Sequence, residues 1–289
     1  MLERIKILLK NLKLLSKYSI EDMEYDLEKN IYDNAPFEVY DISNKKLKVL
    51  DCWDTLNLMN TMPKNFCRFG DGEIMIIEGK SIPFQKYDRR LAEILKKILI
   101  DNRNDMYVGV NYNYFNSTNN LNDYNRRFYI KNIKILRESF LQYCNRDRTY
   151  ISASFNQVYM SYKDFEFQKY YLNFKRLFKD KEIVIFAGDG VFKHIDYDIF
   201  EMAKSKSIYF EKSKDSFDDF DLILEKCMLE PSNKMLLFIL GPCSKALVYE
   251  LTKRGRIAWD IGHLAKDYDW YMKQKDKNAA NIISFSKPD

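Results

Sequence analysis

Two hydrophobic patterns alternate along this chain of 289 residues. Short apolar runs, typical of buried strands, occur near 65–68, 107–110, 149–153, 182–188, 207–210, 235–240 and 257–259. Apolar residues at helical spacing occur near 46–61, 88–101, 126–144, 164–178, 195–204, 216–228, 244–254 and 265–273. This alternation predicts an α/β fold, in which a Rossmann-like, mainly parallel sheet carries helices on both faces.

The first twenty residues follow a different pattern. Leu8 and Leu12 fall on one side of a predicted helix, and Lys6 and Lys10 fall on the other. A basic amphipathic helix of this kind either lies peripherally on an anionic membrane surface or packs on protein, including a second copy in a homo-oligomer. We therefore divide the chain into a helical N-terminal extension, residues 1–60, and one α/β domain, residues 61–289.

Composition narrows the class of protein. Hydrophobic residues make up 46% of the chain, which is enough for a sizeable core and excludes a disordered chain. The net charge of +5 comes without a basic patch interleaved with aromatic residues, so we expect no nucleic-acid partner. The five cysteines form no C-x-x-C pair. We therefore expect buried thiols and a cytoplasmic protein, either free or at the inner face of the membrane.

Candidate chemistry begins directly after the strand at 65–68, with the run Arg68-Phe69-Gly70-Asp71-Gly72-Glu73. The glycines allow the backbone to turn sharply and a ligand to approach closely. Asp71 and Glu73 then offer hard oxygen ligands for Mg²⁺ or Mn²⁺, and Arg68 offers a forked contact to phosphate. The alternative is a plain surface turn, in which Gly and Asp are common.

Three later strand ends carry further candidates, namely Gly188-Asp189, Gly241-Pro242, and Asp260 with His263. His263 is placed to bind a metal or a phosphate near a helix N-terminus, and the alternative is a structural hydrogen-bonding role. Ligands bind beyond the carboxyl ends of parallel strands. The four turns together therefore predict one pocket for a nucleotide or nucleotide sugar with a divalent metal.

Three motifs resemble a known family. RFGDGE at 68–73, LGPCSKALVYEL at 240–251 and DIGHLAKDYDWY at 260–271 resemble the GT-D type of bacterial glycosyltransferase, which was first catalogued as a domain of unknown function. The resemblance implies transfer of a sugar, typically glucose, from a UDP-sugar donor to a glycan or lipid-linked glycan acceptor. It places this reaction in cell-surface polysaccharide or glycoprotein synthesis.

The resemblance also implies roles for individual residues. Asp71 and Glu73 correspond to the family's D-x-E motif, which works with a divalent metal, usually Mn²⁺, beside the donor diphosphate. Asp260 and His263 correspond to its D-x-G-H motif, and we expect His263 to join the two carboxylates as a metal ligand. The residues expected to bind the donor are Arg68, Gly70, Gly72, Gly188, Asp189, Gly241 and Pro242.

The sequence leaves the general base open between Glu73, Asp189 and Asp260. It also leaves two other classes of function open. A metal-dependent phosphohydrolase would use the same carboxylates, although two histidines in the whole chain are few for a two-metal site. A non-catalytic protein that binds a nucleotide sugar would keep the fold without the chemistry.

Overall fold

A computed structural model of the chain describes residues 2–15, 19–34 and 46–285. One sheet contains all of its named strands. In chain order these are β1 (Lys48–Val49), β2 (Asn65–Arg68), β3 (Met106–Val110), β4 (Thr149–Ser152), β5 (Glu182–Gly188), β6 (Ser205–Glu211), β7 (Met235–Ile239) and β8 (Ala258–Asp260).

Helices connect these strands. They are α1 (Leu2–Leu15), α2 (Ile20–Asn34), α3 (Cys52–Thr61), α4 (Asp71–Ile77), α5 (Arg89–Ile100), α6 (Asp123–Tyr143), α7 (Val158–Ser161), α8 (Phe167–Arg176), α9 (Phe220–Leu229), α10 (Pro242–Lys253), α11 (Leu264–Met272) and α12 (Ala279–Phe285). Two short 3₁₀ helices span Tyr112–Tyr114 and Ser216–Asp219.

The sheet is parallel in every pairing between its named strands, with the order β1-β4-β3-β2-β8-β7-β5-β6. Strand β5 is buried from Ile183 to Gly188 and β7 is buried along its whole length, so both faces of the sheet are covered. The predicted α/β fold with a mainly parallel sheet is therefore confirmed. Parallel pairing also brings the carboxyl ends of all these strands to one edge.

The centre of the sheet is held by aromatic packing around β8. The Trp259 ring lies 5.2 Å from the Phe66 ring of β2 and 6.1 Å from the Phe178 ring, centroid to centroid. Phe66 in turn contacts Phe155 at 5.0 Å. Trp259 is 2% exposed, so this cluster fixes β8 between β2 and β7 and thereby fixes the turn that follows it.

Two predicted helices differ from the structure. Residues 195–204 form turns because the buried Asp269 carboxylate accepts hydrogen bonds from the backbone N–H groups of Asp196 (2.8 Å) and Tyr197 (3.2 Å). The helix predicted at 46–61 begins only at Cys52, where the Asp51 side chain caps the N–H of Asp54. The residues before it pair with β4 as strand β1.

The predicted N-terminal extension, residues 1–60, contains helices α1 and α2, strand β1 and nearly all of α3. Residues 1, 16–18 and 35–45 of it lie outside the described residues. Helix α2 packs against α6 through an ion pair between Asp22 and Arg127, whose guanidinium also lies 4.6 Å from the centre of the Tyr25 ring. The division at residue 60 stays a prediction. Over the described ranges, no helix has the length and apolar character needed to cross a membrane.

Candidate active site

The candidate site is a cleft of about 630 Å³ at the carboxyl edge of the sheet. It opens where β2, β8 and β7 end side by side. All four predicted strand-end turns contribute to its lining, which includes Arg68, Gly70, Asp71, Gly72, Glu73, Gly188, Gly241, Pro242, Asp260 and His263. Structural proximity of these turns supports the prediction of a shared pocket.

The D-x-E residues occupy the first turn of helix α4 rather than a surface turn. Glu73 is the third residue of this helix, and its Oε2 accepts a hydrogen bond from the backbone N–H of Gly70 at 2.8 Å. This contact satisfies an N–H at the helix start and fixes the Glu73 carboxylate toward the cleft. Asp71 begins the helix and lies at the open side.

Lys245, which the sequence analysis did not select, lies at the centre of the site. Its ammonium is 3.1 Å from Glu73 Oε1 and 3.1 Å from Asp260 Oδ2, and it donates to the carbonyl oxygen of Gly241 at 3.1 Å. Burial disfavours the charge of this lysine, but attraction by Asp260 and Glu73 outweighs burial and raises the pKa of Lys245. Lys245 therefore joins the D-x-E turn to the end of β8.

Asp260 is 1% exposed and bound by two cations. Besides Lys245, the Arg68 Nη2 lies 3.5 Å from Asp260 Oδ1, and the Arg68 backbone N–H donates to Asp260 Oδ2 at 3.1 Å. Burial alone would raise the pKa of Asp260, but Lys245 and Arg68 outweigh it and lower that pKa. Asp260 thus orients the cations of the site.

The Arg68 guanidinium is held in place by several hydrogen bonds to protein. It donates to the Ala153 carbonyl at 3.0 Å, to Asn156 Oδ1 at 2.8 Å and, through Nε, to the Asp260 carbonyl at 3.2 Å. Gly262 has φ +43°, and a Cβ there would lie 1.7 Å from Arg68 Nη2. Glycine is therefore required at this position so that the guanidinium can approach the backbone.

Asp71 differs from the other two carboxylates because no cation within the described part of the chain pairs with it. Asp71 is exposed to solvent at the cleft opening. Even so, partial desolvation of its carboxylate by the surrounding cleft residues, followed by repulsion from Glu73, raises the pKa of Asp71 above its ordinary value. Of the three carboxylates here, Glu73 and Asp260 pair with Lys245, Asp260 also pairs with Arg68, and Asp71 pairs with neither of these cations. The uncompensated negative charge therefore lies at Asp71, on the open side of the cleft.

A divalent cation fits this arrangement through Asp71. Mg²⁺ and related ions are often held by one or two carboxylates together with substrate phosphates. Both Glu73 oxygens already have partners, and over residues 2–15, 19–34 and 46–285 no three His, Cys, Asp or Glu side chains form a metal-binding group. The expected joint ligation by Asp71, Glu73 and His263 is thus not assembled in this structure.

His263 lies beside the charged cluster among aromatic rings. Its ring centre is 5.1 Å from that of Phe285 and 6.4 Å from that of Phe84. Burial, followed by repulsion from Lys266 and Arg68, lowers the pKa of His263 to about 3. The imidazole is therefore neutral near pH 7, and it can bind a metal or donate a hydrogen bond without carrying charge.

The β5 side of the cleft is narrow. A Cβ at Gly188 would lie 2.7 Å from Ser213 Oγ, so glycine permits the close approach of these two segments. Asp189 is exposed and is not among the cleft-lining residues, although its carboxylate accepts a hydrogen bond from Ser213, which does line the cleft. The structure thus brings Gly188 into the pocket and leaves the Asp189 side chain beyond it.

The opposite wall is formed by the first turns of α6. Tyr124 and Phe128 stand one helical turn apart, line the cleft, and are each 37% exposed. Gln157, which follows β4, lines the same side. No local sequence signal identified this wall, because its residues come from the Asn-rich stretch and the helix after it.

None of the five cysteines is among the residues that line the cleft. All five are free and buried, as predicted. Burial raises the pKa of the Cys243 thiol far above its ordinary value, so the thiolate nucleophile is not available near pH 7.

Sequence comparison gives a family match. The profile described as "Glycosyltransferase GT-D fold" matches residues 66–282. The chain is 26% identical over 229 residues to the probable glycosyl transferase Gly of Streptococcus gordonii, which covers 79% of this chain and 33% of that protein. It is 25% identical over 260 residues to glycosyltransferase GlyD of Streptococcus pneumoniae serotype 4 (strain ATCC BAA-334 / TIGR4), covering 89% of this chain and 31% of that protein. The chain therefore spans about a third of the length of these curated relatives.

Solved structures agree with this match. One, described as the highly conserved domain of unknown function 1792 with a distinct glycosyltransferase fold, has a TM-score of 0.75 and 29% identity, covering 80% of this chain and 83% of that chain. Another, described as a new glycosyltransferase from Streptococcus sanguinis, shares the fold with a TM-score of 0.77 at 24% identity, covering 84% of this chain and 93% of that chain. With the profile covering most of its length, the chain belongs to the family of glycosyltransferases with the GT-D fold.

Proposed function

We propose that this protein transfers a sugar from a nucleoside diphosphate donor to a glycan acceptor, as its family membership suggests. The donor we propose is a UDP-sugar carrying glucose or a related hexose, and the pathway is cell-surface polysaccharide or glycoprotein synthesis. The observation that carries the proposal is the cluster of Arg68, Lys245, Asp71, Glu73 and Asp260 at the open edge of the sheet.

Charge explains how such a cluster promotes transfer. Departure of the sugar leaves negative charge on the nucleoside diphosphate, and preorganised cations stabilise that charge in the transition state. Lys245 and Arg68 are held in place by Asp260 before any substrate arrives, so little reorganisation is needed. Neutral His263 adds a hydrogen-bond donor or a ligand atom at the same edge.

We propose Mn²⁺ or Mg²⁺ as the cofactor, with Asp71 as its protein ligand beside the donor phosphates. When bound, this ion neutralises phosphate charge. Asp71 is suited to the role because its carboxylate is exposed and unpaired within the described residues. Glu73 then acts mainly by holding Lys245 and the start of α4.

The geometry also bears on the general base. Lys245 and Arg68 lower the pKa of Asp260, and a carboxylate stabilised in its charged form by close cations is a weak base. Both Glu73 oxygens already contact protein groups, the Gly70 N–H and the Lys245 ammonium. Asp189 is not among the residues that line the cleft. These placements argue against each of the three candidates that the sequence left open.

We propose that donor and acceptor occupy opposite sides of the cleft. The β5 and β7 side offers Gly188, Gly241 and Pro242 to the nucleotide. The α6 side offers the half-exposed rings of Tyr124 and Phe128, which can stack on the apolar face of a sugar ring.

The test is to incubate the purified protein with UDP-glucose and other nucleotide sugars, with and without Mn²⁺, and to measure melting temperature and release of UDP. A ligand that binds only the folded state raises the melting temperature. We expect a metal-dependent rise with one UDP-sugar that is lost in Asp71→Asn. Glu93→Gln, a substitution in an exposed pair with Arg89, is the matched control and keeps the response.

The alternatives predict other results. Binding of a nucleotide sugar without release of UDP, across glycan acceptors and water, would favour a non-catalytic binding protein. Release of UMP and a sugar 1-phosphate from the donor, by hydrolysis of its diphosphate bond, would favour a phosphohydrolase. The proposed transferase would be refuted if the protein neither bound nor turned over any nucleotide sugar.

A further inference from the structure

Helix α1 presents an apolar stripe that is open to solvent. Ile5, Leu8, Leu9 and Leu12 lie on one side of the helix, and their exposed fractions are between 50% and 61%. These residues pack against no core cluster of the described chain. Four large apolar side chains on one stripe are more than the scattered single residues of an ordinary surface, so the stripe needs a partner.

The flank of this stripe is basic. Lys6, Lys10 and Lys13 lie next to the apolar residues on the helix surface and are exposed. The helix carries four basic residues and one acidic residue. An apolar stripe bordered by lysines complements a surface that is apolar below and negatively charged above, which is the interface of an anionic lipid layer.

Helix α2 shows that this charge is particular to α1. It carries six acidic residues and one basic residue, and its Ile20, Met23 and Leu27 are also exposed. An anionic surface repels such a helix. Instead, α2 is fastened to α6 by Asp22 and Tyr25, both of which contact Arg127. Helix α2 is therefore fixed to the α/β domain, whereas the apolar stripe of α1 is exposed.

We propose that α1 docks on an anionic lipid surface, with the Leu8–Leu12 face in the interface and the lysines against the headgroups. The partner is the lipid layer itself rather than another protein. Helix α2 follows α1 in the chain and packs on α6, whose first turns line the cleft. Docking of α1 therefore holds the α6 side of the cleft, where we propose that the acceptor of the transferase binds, near the membrane. The docking itself does not depend on the proposed transferase activity.

The experiment is flotation of the full chain with phosphatidylcholine vesicles that either contain or lack phosphatidylglycerol. We expect binding to the anionic vesicles, weakened by added salt. Each lysine near an anionic surface contributes about fivefold in affinity, so the triple substitution Lys6→Gln, Lys10→Gln and Lys13→Gln should weaken binding by roughly a hundredfold. Leu8→Ser with Leu12→Ser should abolish binding while leaving the charge unchanged.

The matched control is Ile20→Ser with Leu27→Ser, which removes exposed apolar residues of similar size from the acidic helix. It should float with the anionic vesicles as the wild type does. Circular dichroism and UDP release of all variants separate loss of docking from loss of folding or of transferase activity. Absence of flotation, equal binding to neutral vesicles, or loss of binding in the α2 control would overturn the proposal. If the chain instead formed a dimer without vesicles, and the two leucine substitutions dissociated it, α1 would be the interface with a second copy and the proposal would be overturned.

Discussion

At the scale of single residues, Gly262 controls the placement of Arg68. Alanine at this position requires a strained backbone at φ +43° and displaces the Arg68 guanidinium from Asp260. We expect Gly262→Ala to lower the free energy of unfolding by about 3 kcal/mol or more, since backbone strain adds to the loss of the buried contact between Arg68 and Asp260. Chemical denaturation measures this change.

Gly255 supplies the comparison for Gly262. It also has a positive φ, +69°, but no atom lies within 4 Å of the position its Cβ would take. Gly255→Ala therefore carries backbone strain alone, about 1–2 kcal/mol. Equal destabilisation by the two substitutions would show that crowding by Arg68 is not what requires glycine at 262.

A second residue-scale prediction concerns Asp267, a fully buried carboxylate. It accepts hydrogen bonds from the N–H groups of Tyr159 and Met160 and from the Tyr171 hydroxyl, at 3.0, 3.0 and 2.7 Å. In Asp267→Asn, one carboxylate oxygen becomes an NH₂ group, which is a donor. It faces the donors that the oxygen accepted from, so at least one of these hydrogen bonds is lost. We expect the free energy of unfolding at pH 7 to fall by about 1–3 kcal/mol, as measured by chemical denaturation.

Asp267 also gives this difference a pH dependence. Burial is the main cause that raises its pKa from 3.8 to about 6. Between these values the folded chain holds a proton that the unfolded chain releases, so the contribution of Asp267 to stability falls as pH rises from about 4 to about 6. The advantage of the wild type over Asp267→Asn should therefore be larger at pH 4.5 than at pH 7, by ~2 kcal/mol. A pH-independent difference would contradict this assignment.

At the scale of elements, sequence pattern recovered the longer strands and helices and the edge where the site forms. Helix α4 was missed because seven residues are too few to show helical periodicity, and its first turn reads as a Gly-Asp turn. Lys245 was missed for another reason. It lies in a well-predicted helix, and its importance comes from Glu73 and Asp260, which only the fold brings to it.

Helix α6 places the rings of Tyr124 and Phe128 in the wall of the cleft. We expect Tyr124→Ala and Phe128→Ala to raise the KM for a glycan acceptor by roughly two- to tenfold per ring, since a stacked aromatic contact contributes about 0.5–1.5 kcal/mol. Donor binding, measured as the shift in melting temperature with the UDP-sugar, should not change. Ile135→Ala, at a position of the same helix that is 68% exposed, is the control. Altered donor binding with unaltered acceptor KM would place the nucleotide on this wall instead.

At the scale of the whole molecule, β8 joins two halves of the sheet, β1 to β4 on one side and β5 to β7 on the other. Trp259 on β8 packs against both sides of this junction. Trp259→Ala should therefore cost about 3–5 kcal/mol and should increase amide hydrogen exchange in β3 and β5 together.

Phe210→Ala, on the edge strand β6 where the side chain is 55% exposed, is the control for this substitution. It should change stability by less than about 0.5 kcal/mol. If Trp259→Ala loosened only one of the two halves, the halves would be separate cooperative units and β8 would not couple them.

The position of β8 has a consequence for how the protein is made. The strand that completes the middle of the sheet is the last of the described strands to leave the ribosome, at residues 258–260. Until then β2 and β7 lack the strand that pairs with both of them, so a sheet formed on either side has an edge open to pairing with other chains. The same late strand delivers Asp260, so the charged cluster forms only when the sheet closes. A nascent chain stalled before β8 therefore lacks the active site and carries exposed strand edges for chaperones to recognise.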